Sequence, residues 1–231
     1  MIDVYCLPGT MCDERLWQRV LDFLPDNIRL IHIVIPEENV LDRMVAALVE
    51  SLPKEPFHVI GFSLGGYLVS ELARVVPERL LSAVMVSNVG TALPESEKAQ
   101  RVQALNWVKK VGYKGIPKKK AMAMLAPDHR EDGGLLECIK AMDEALGEPA
   151  LLAQLEATLE RRENFDVIKA SGCDWLVLAG RYDQFVSPQA MVRLNALDNV
   201  TIHSVSNCGH MLPLEQPKWM ANKLEQFLLA K

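Results

Sequence analysis

The run Gly61-Phe62-Ser63-Leu64-Gly65-Gly66 sets one serine between two glycines, each two residues away. An apolar, strand-like segment precedes it from Phe57 to Phe62, and an apolar-periodic helical segment follows from Leu64 to Val76. A serine on so sharp a strand-to-helix turn projects its hydroxyl above the sheet, because the turn forces an unfavourable backbone conformation. The flanking glycines leave room for strand and helix to approach each other. The start of the helix favours negative charge developing at that point. This is the pattern of an activated nucleophile. A serine there can also serve merely as a helix cap, but a third apolar strand before it and the additional Gly66 favour the chemical role.

A serine nucleophile needs a base and a group that orients the base. Five histidines are available. His32, His58 and His203 sit inside strand patterns, and His129 lies in the polar stretch Pro127-Asp128-His129-Arg130, where a solvated side chain is expected. His210, in Asn207-Cys208-Gly209-His210-Met211 just after the last strand, is the base candidate. The acid candidate is Asp183, in Gly180-Arg181-Tyr182-Asp183-Gln184, a loop that follows the preceding strand. Asp183 would fix the tautomer of His210, and His210 would take the proton of Ser63. Asp174 precedes its strand and is expected at the opposite end of the sheet. Acyl transfer also needs two backbone N–H donors for the oxyanion. Leu64 supplies one, and the loop Leu7-Pro8-Gly9-Thr10-Met11 the other, assigned to Thr10 with Met11 as the alternative.

These residues must be positioned by regular elements. Strand-length apolar runs at Ile2–Leu7, Ile28–Ile35, Phe57–Phe62 and Leu80–Val86 alternate with helical patterns at Leu16–Leu24, Val40–Leu52 and Leu64–Val76. Such alternation predicts a parallel sheet covered by helices on both faces. From Pro94 to Asn164 the chain reads as consecutive helices. The strand–helix rhythm resumes at Trp175–Ala179, Pro188–Leu197, Val200–Val205 and Pro217–Leu229. The expected organisation is an α/β core from 1–93 and 165–231 with a helical cap from 94–164. The cap is expected at the carboxyl ends of the strands, where such sheets bind ligands.

Composition excludes several classes. In 231 residues, hydrophobic side chains make up 49 % and charged ones 24 %, the balance of a folded globular domain and not of a disordered or low-complexity chain. A net charge of −5 carries no chain-wide footprint for nucleic acid. No apolar run reaches the roughly 20 residues of a membrane span. The opening Met1-Ile2-Asp3-Val4-Tyr5 lacks the layout of a signal peptide. Five cysteines without a C-x-x-C spacing argue against a disulfide framework or structural zinc, and predict a reducing, cytoplasmic location. Neither a metal nor an organic cofactor is indicated.

Together these segments resemble the α/β-hydrolase superfamily. The resemblance spans nearly the whole chain: Pro8-Gly9 with Trp17, the Ser63 elbow, the Gly180 to Pro188 loop, and Gly209-His210 followed by Glu215 and Pro217. The order Ser63, Asp183, His210 is the order of that family's triad. Membership implies an eight-stranded, mostly parallel sheet, from which this chain lacks the opening antiparallel hairpin. Pro8 stands where many relatives carry histidine. Ser63 argues against the branches that use an aspartate nucleophile. The short chain with a helical cap is similar to small carboxylesterases, including the pimeloyl-acyl-carrier-protein methyl esterases.

Between Pro94 and Gly134, nine basic residues stand against five acidic ones, a net +4 within a chain of net −5. A solvated helical face is the ordinary reading of such a run. The sharper reading is a cap that receives an anionic substrate or an acidic acyl carrier protein through Lys118, Lys119 and Lys120. The expected activity is hydrolysis of a small-molecule ester or thioester through an acyl-enzyme on Ser63. Two alternatives stay open: a menaquinone-pathway-type lyase that eliminates pyruvate with the same triad, and a ligand-binding protein that retains the fold without turnover.

Overall fold

The computed structural model describes residues 1–230. Six strands, β1 (Ile2–Leu7), β2 (Ile28–His32), β3 (Phe57–Phe62), β4 (Leu80–Val86), β5 (Asp174–Gly180) and β6 (Val200–Val205), form one sheet in the order β2-β1-β3-β4-β5-β6. Every neighbouring pair is parallel. Six strands agree with a hydrolase sheet that lacks its opening hairpin. The second strand stops at His32, short of the expected Ile35.

Helices join the strands. α1 (Arg15–Leu21) links β1 to β2, α2 (Leu41–Ser51) links β2 to β3, and α3 (Leu64–Val75) links β3 to β4. Between β4 and β5 come α4 (Glu95–Val111), α5 (Lys118–Ala123), α6 (Gly133–Ala157) and α7 (Phe165–Ala170). α8 (Pro188–Leu194) precedes β6, and α9 (Leu212–Glu215) and α10 (Pro217–Leu229) end the chain. Two of these helices, α6 and α8, start on a side-chain cap. Ser187 Oγ accepts the Ala190 N–H ahead of Pro188, and Asp132 Oδ1 accepts the N–H groups of Gly134 and Leu135 at the head of α6. α6 kinks at Gly147, whose φ of 71° breaks the helix two residues before Pro149.

A parallel strand buried on both faces divides its side chains between two cores. On β5, Trp175, Val177 and Ala179 join the core beneath α2, α3, α7 and α8, while Leu176 and Leu178 join the opposite core beneath α1, α9 and α10. The insertion shares in that second core through Ala121, Leu125, Leu135, Ile139 and Met142. A third, small core of Met11, Val108, Ala150 and Leu151 seals the insertion onto the loop after β1. Trp107, by contrast, is exposed. No helix among the described residues is long and apolar enough to cross a membrane.

The strand order reverses at β1, with β2 on one side and β3 on the other. A parallel sheet opens a crevice at such a reversal, outside the carboxyl ends of its strands. The loop after β1 carries Gly9 and Thr10, and the turn after β3 carries Ser63.

Candidate active site

Ser63 joins β3 to α3 with φ 50° and ψ −110°, a conformation that costs a residue with a side chain about 1–3 kcal/mol. Its N–H donates to Val86 O at 2.8 Å, and its C=O accepts the Tyr67 N–H at 3.1 Å. The strained residue is thus held from the neighbouring strand and from its own helix. The glycines around it are packed, not merely flexible. A Cβ on Gly65 would lie 2.1 Å from Leu7 O, and one on Gly61 would lie 2.2 Å from Gly65 O. A Cβ on Gly9 would lie 3.3 Å from Ser63 Cβ, so the loop after β1 runs directly beside the serine.

Ser63 Oγ lies 2.9 Å from His210 Nε2. On its other edge, His210 Nδ1 lies 2.9 Å and 3.0 Å from the two carboxylate oxygens of Asp183. Asp183 and His210 are buried and Ser63 is half-buried. A proton on Nδ1, facing the carboxylate, leaves Nε2 as the acceptor for the Ser63 O–H. Asp183 is oriented in turn by the Phe185 N–H, which donates to Oδ1 at 2.9 Å. The imidazole stands between two rings, Phe62 at 5.2 Å and Phe185 at 4.8 Å between centroids. Asp174 stands at the opening of β5, the far end of that strand from Asp183.

The loop bearing His210 is held at several points. The His210 N–H donates to Met124 O at 2.7 Å, and Ser87 Oγ donates to His210 O at 2.8 Å. Glu215, buried in the first turn after the loop, accepts the Gly209 N–H at 2.9 Å and the Ala126 N–H at 2.7 Å. It also meets His129 Nδ1 at 2.9 Å. This corrects the expectation for His129: its ring is half-buried and partnered, and it completes the hydrogen bonding of a buried carboxylate, which costs free energy wherever it is left unmade.

Of the two candidates in the loop after β1, Met11 has its N–H engaged by Gln154 Oε1 at 3.0 Å. That interaction crosses 143 positions of sequence and reaches down from α6. It holds Met11 at φ 56°, in the left-handed region. Of the two expected donors, Thr10 is the one whose N–H is not engaged by Gln154. Leu64, first residue of α3, has an N–H with no intrahelical acceptor. No sequence signal singles out Gln154, because nothing local to α6 marks a polar side chain whose partner lies 143 positions away.

The cysteines behave as small apolar side chains. Cys6, Cys12 and Cys208 are buried, and burial pushes their thiols well above the ordinary range.

The sequence model of the Alpha/beta hydrolase family matches residues 4–223. The chain belongs to that family. A monoacylglycerol lipase of Mus musculus is 22 % identical to it, over 97 % of this chain and 75 % of the lipase. Among solved structures, a thermophilic esterase from Thermogutta terrifontis superposes with a TM-score of 0.86 at 22 % identity, over 99 % of this chain and 89 % of the esterase. The enol-lactonase from Burkholderia xenovorans LB400 gives a TM-score of 0.83 at 12 % identity, over 98 % and 91 % of the two chains. At these identities the structural likeness establishes the fold of this family member, and the chemistry rests on its own residues.

Proposed function

We propose that this hydrolase-family protein cleaves carboxylic esters through an acyl-enzyme on Ser63. One observation carries the reading: a serine at a strained elbow, 2.9 Å from an imidazole whose other nitrogen is held by a buried carboxylate. His210 takes the Ser63 proton as Oγ attacks the ester carbonyl, and the Asp183 carboxylate stabilises the imidazolium that forms. The oxyanion lies between the N–H groups of Thr10 and Leu64. His210 then gives its proton to the departing alcohol. Water, deprotonated by the same imidazole, releases the acid and restores Ser63. The lipase, esterase and lactonase likenesses agree with an ester substrate. The basic residues of α5 extend the proposal to a carrier-bound acyl ester, with an acidic carrier protein docking at Lys118 and Lys119, both exposed.

Hydrolysis of p-nitrophenyl esters from acetate to laurate, by the protein and by Ser63→Ala, tests this reading. Release that depends on chain length and falls by about a thousandfold or more in the variant supports it. Release that survives in Ser63→Ala overturns it. Release of pyruvate from an elimination substrate, without an acyl group on Ser63, would replace it with the lyase reading.

A further inference from the structure

Two aromatic rings flank the His210 imidazole, and they differ in exposure. Phe62, at the end of β3, is sealed in the core and 1 % exposed. Phe185, two residues after Asp183, is 48 % exposed, although its ring centroid lies only 4.8 Å from that of His210, at an interplanar angle of 64°. The chain on either side of Phe185 is fixed. Asp183 is buried and accepts the Phe185 N–H at 2.9 Å, and Val186 is buried in the core beneath α2, α3, α7 and α8. The loop is tied further by the Tyr182 N–H, which donates to Cys208 O at 2.9 Å, and by Gln184 Nε2, which donates to Ala123 O at 3.0 Å. Phe185 is therefore held against the imidazole with about half of its surface uncovered. A lone exposed apolar side chain is ordinary on any protein surface. This one packs on the base of the triad.

The chemistry of ester cleavage says what meets that surface. His210 gives its proton to the oxygen of the departing alcohol, and Nε2, 2.9 Å from Ser63 Oγ, is the atom that delivers it. The alcohol oxygen therefore comes within hydrogen-bond reach of the imidazole, about 3 Å. The first carbons of the alcohol start from that point and run beside a ring that flanks the imidazole. Phe62 is covered, so Phe185 is the ring that can receive them. A phenyl ring offers an alkyl chain a surface on which to leave water, and offers a polar group no conventional hydrogen-bond partner.

We propose that Phe185 is the binding surface for the alcohol half of the ester, and that the preferred leaving groups are apolar alcohols of several carbons. This inference rests on the acyl-enzyme reading of Ser63 and deepens it. By microscopic reversibility, the surface that holds a departing alcohol also holds an alcohol that attacks the acyl-enzyme. In that step the alcohol O–H loses its proton to His210 as its oxygen bonds to the acyl carbon. The bond from that carbon to Ser63 Oγ then breaks, and the proton passes from His210 to Oγ.

The test holds the acid constant and varies the alcohol, from ethyl to hexyl butyrate, beside ethyl esters of acids from acetate to octanoate. In the alcohol series kcat/KM is expected to rise about tenfold from ethyl to hexyl, the equivalent of removing about two methylenes from water. Phe185→Ala flattens the alcohol series and keeps the dependence on acyl length, and Phe185→Leu falls between. In a second measurement, ethanol or hexanol at equal concentration competes with water for the butyryl-enzyme formed from p-nitrophenyl butyrate. Hexyl butyrate is expected to form faster than ethyl butyrate in the wild type by a similar factor, and at the same rate in Phe185→Ala. Both readouts are ratios within one protein, so they do not depend on how much of a variant folds. A wild type that treats the alcohols alike overturns the proposal. So does a Phe185→Ala variant that keeps the alcohol series, or one that loses the acyl series with it. A folded wild type that transfers butyryl to neither water nor alcohol would sink the acyl-enzyme reading itself, a different failure.

Discussion

The floor and the roof of the crevice are built by different means. In the floor, formed by the ends of β1, β3 and β5, the decisive contacts are between backbone atoms. Gly65 lies against Leu7 O, Gly61 against Gly65, and the Ser63 N–H bonds to Val86 O. In the roof, formed by α4 to α6 and the segment that follows α6, side chains reach towards the site beside one backbone bond, from the His210 N–H to Met124 O. Gln154 bonds to the Met11 N–H, and Arg161 stacks on Tyr67. A floor of backbone contacts tolerates almost no change at its glycines but is indifferent to most side chains. A roof of side-chain contacts can be re-tuned one residue at a time; under the proposed function the floor fixes the reaction and the roof selects the substrate.

Substitutions can break or sharpen that contrast. The largest effect is expected from Gly65→Ala, whose methyl would overlap the Leu7 backbone. The loss is on the order of 4 kcal/mol or more, and a denaturant titration would show it as loss of the folded state. A stable Gly65→Ala protein would mean that the floor is looser than described. Asp183→Asn keeps the shape but removes the charge that supports the His210 imidazolium. It is expected to lower kcat by about a thousandfold or more with the fold retained, as circular dichroism and steady-state kinetics would report. Glu215→Gln presents an amide donor to backbone donors and is expected to cost about 2 kcal/mol, read as a lower melting temperature. The mildest effect belongs to the roof. Gln154→Ala frees the Met11 N–H and is expected to reduce kcat by about tenfold with little change in KM, while Gln154→Glu restores most of it by keeping the acceptor. An unchanged kcat in Gln154→Ala would remove the roof from the positioning of Thr10.

The same contrast explains what the amino-acid sequence discloses. Ser63, Asp183 and His210 each follow an apolar strand, so strand periodicity alone lines them up at one end of the sheet, and they meet there. The elbow glycines are legible because no other residue type fits between Leu7 and Gly61. The environment of His129 is not legible because its partner, Glu215, is 86 positions away, and a polar neighbourhood in sequence says nothing of a buried carboxylate in space. Gln154 is illegible for a related reason. The helices of the insertion show which face is apolar, but not which polar side chain turns inward across the crevice. The net +4 of 94–134 is also partly offset in space, since Lys98 and Lys109 pair with Glu160 and Glu156, acids that lie beyond that stretch.

The most direct test of the central claim is covalent. The protein would be treated with a fluorophosphonate and the adduct located by mass spectrometry of its peptides. One adduct is expected, on Ser63, absent in Ser63→Ala and formed far more slowly in His210→Ala. A folded protein that takes no label, or takes it on a residue other than Ser63, would contradict the account.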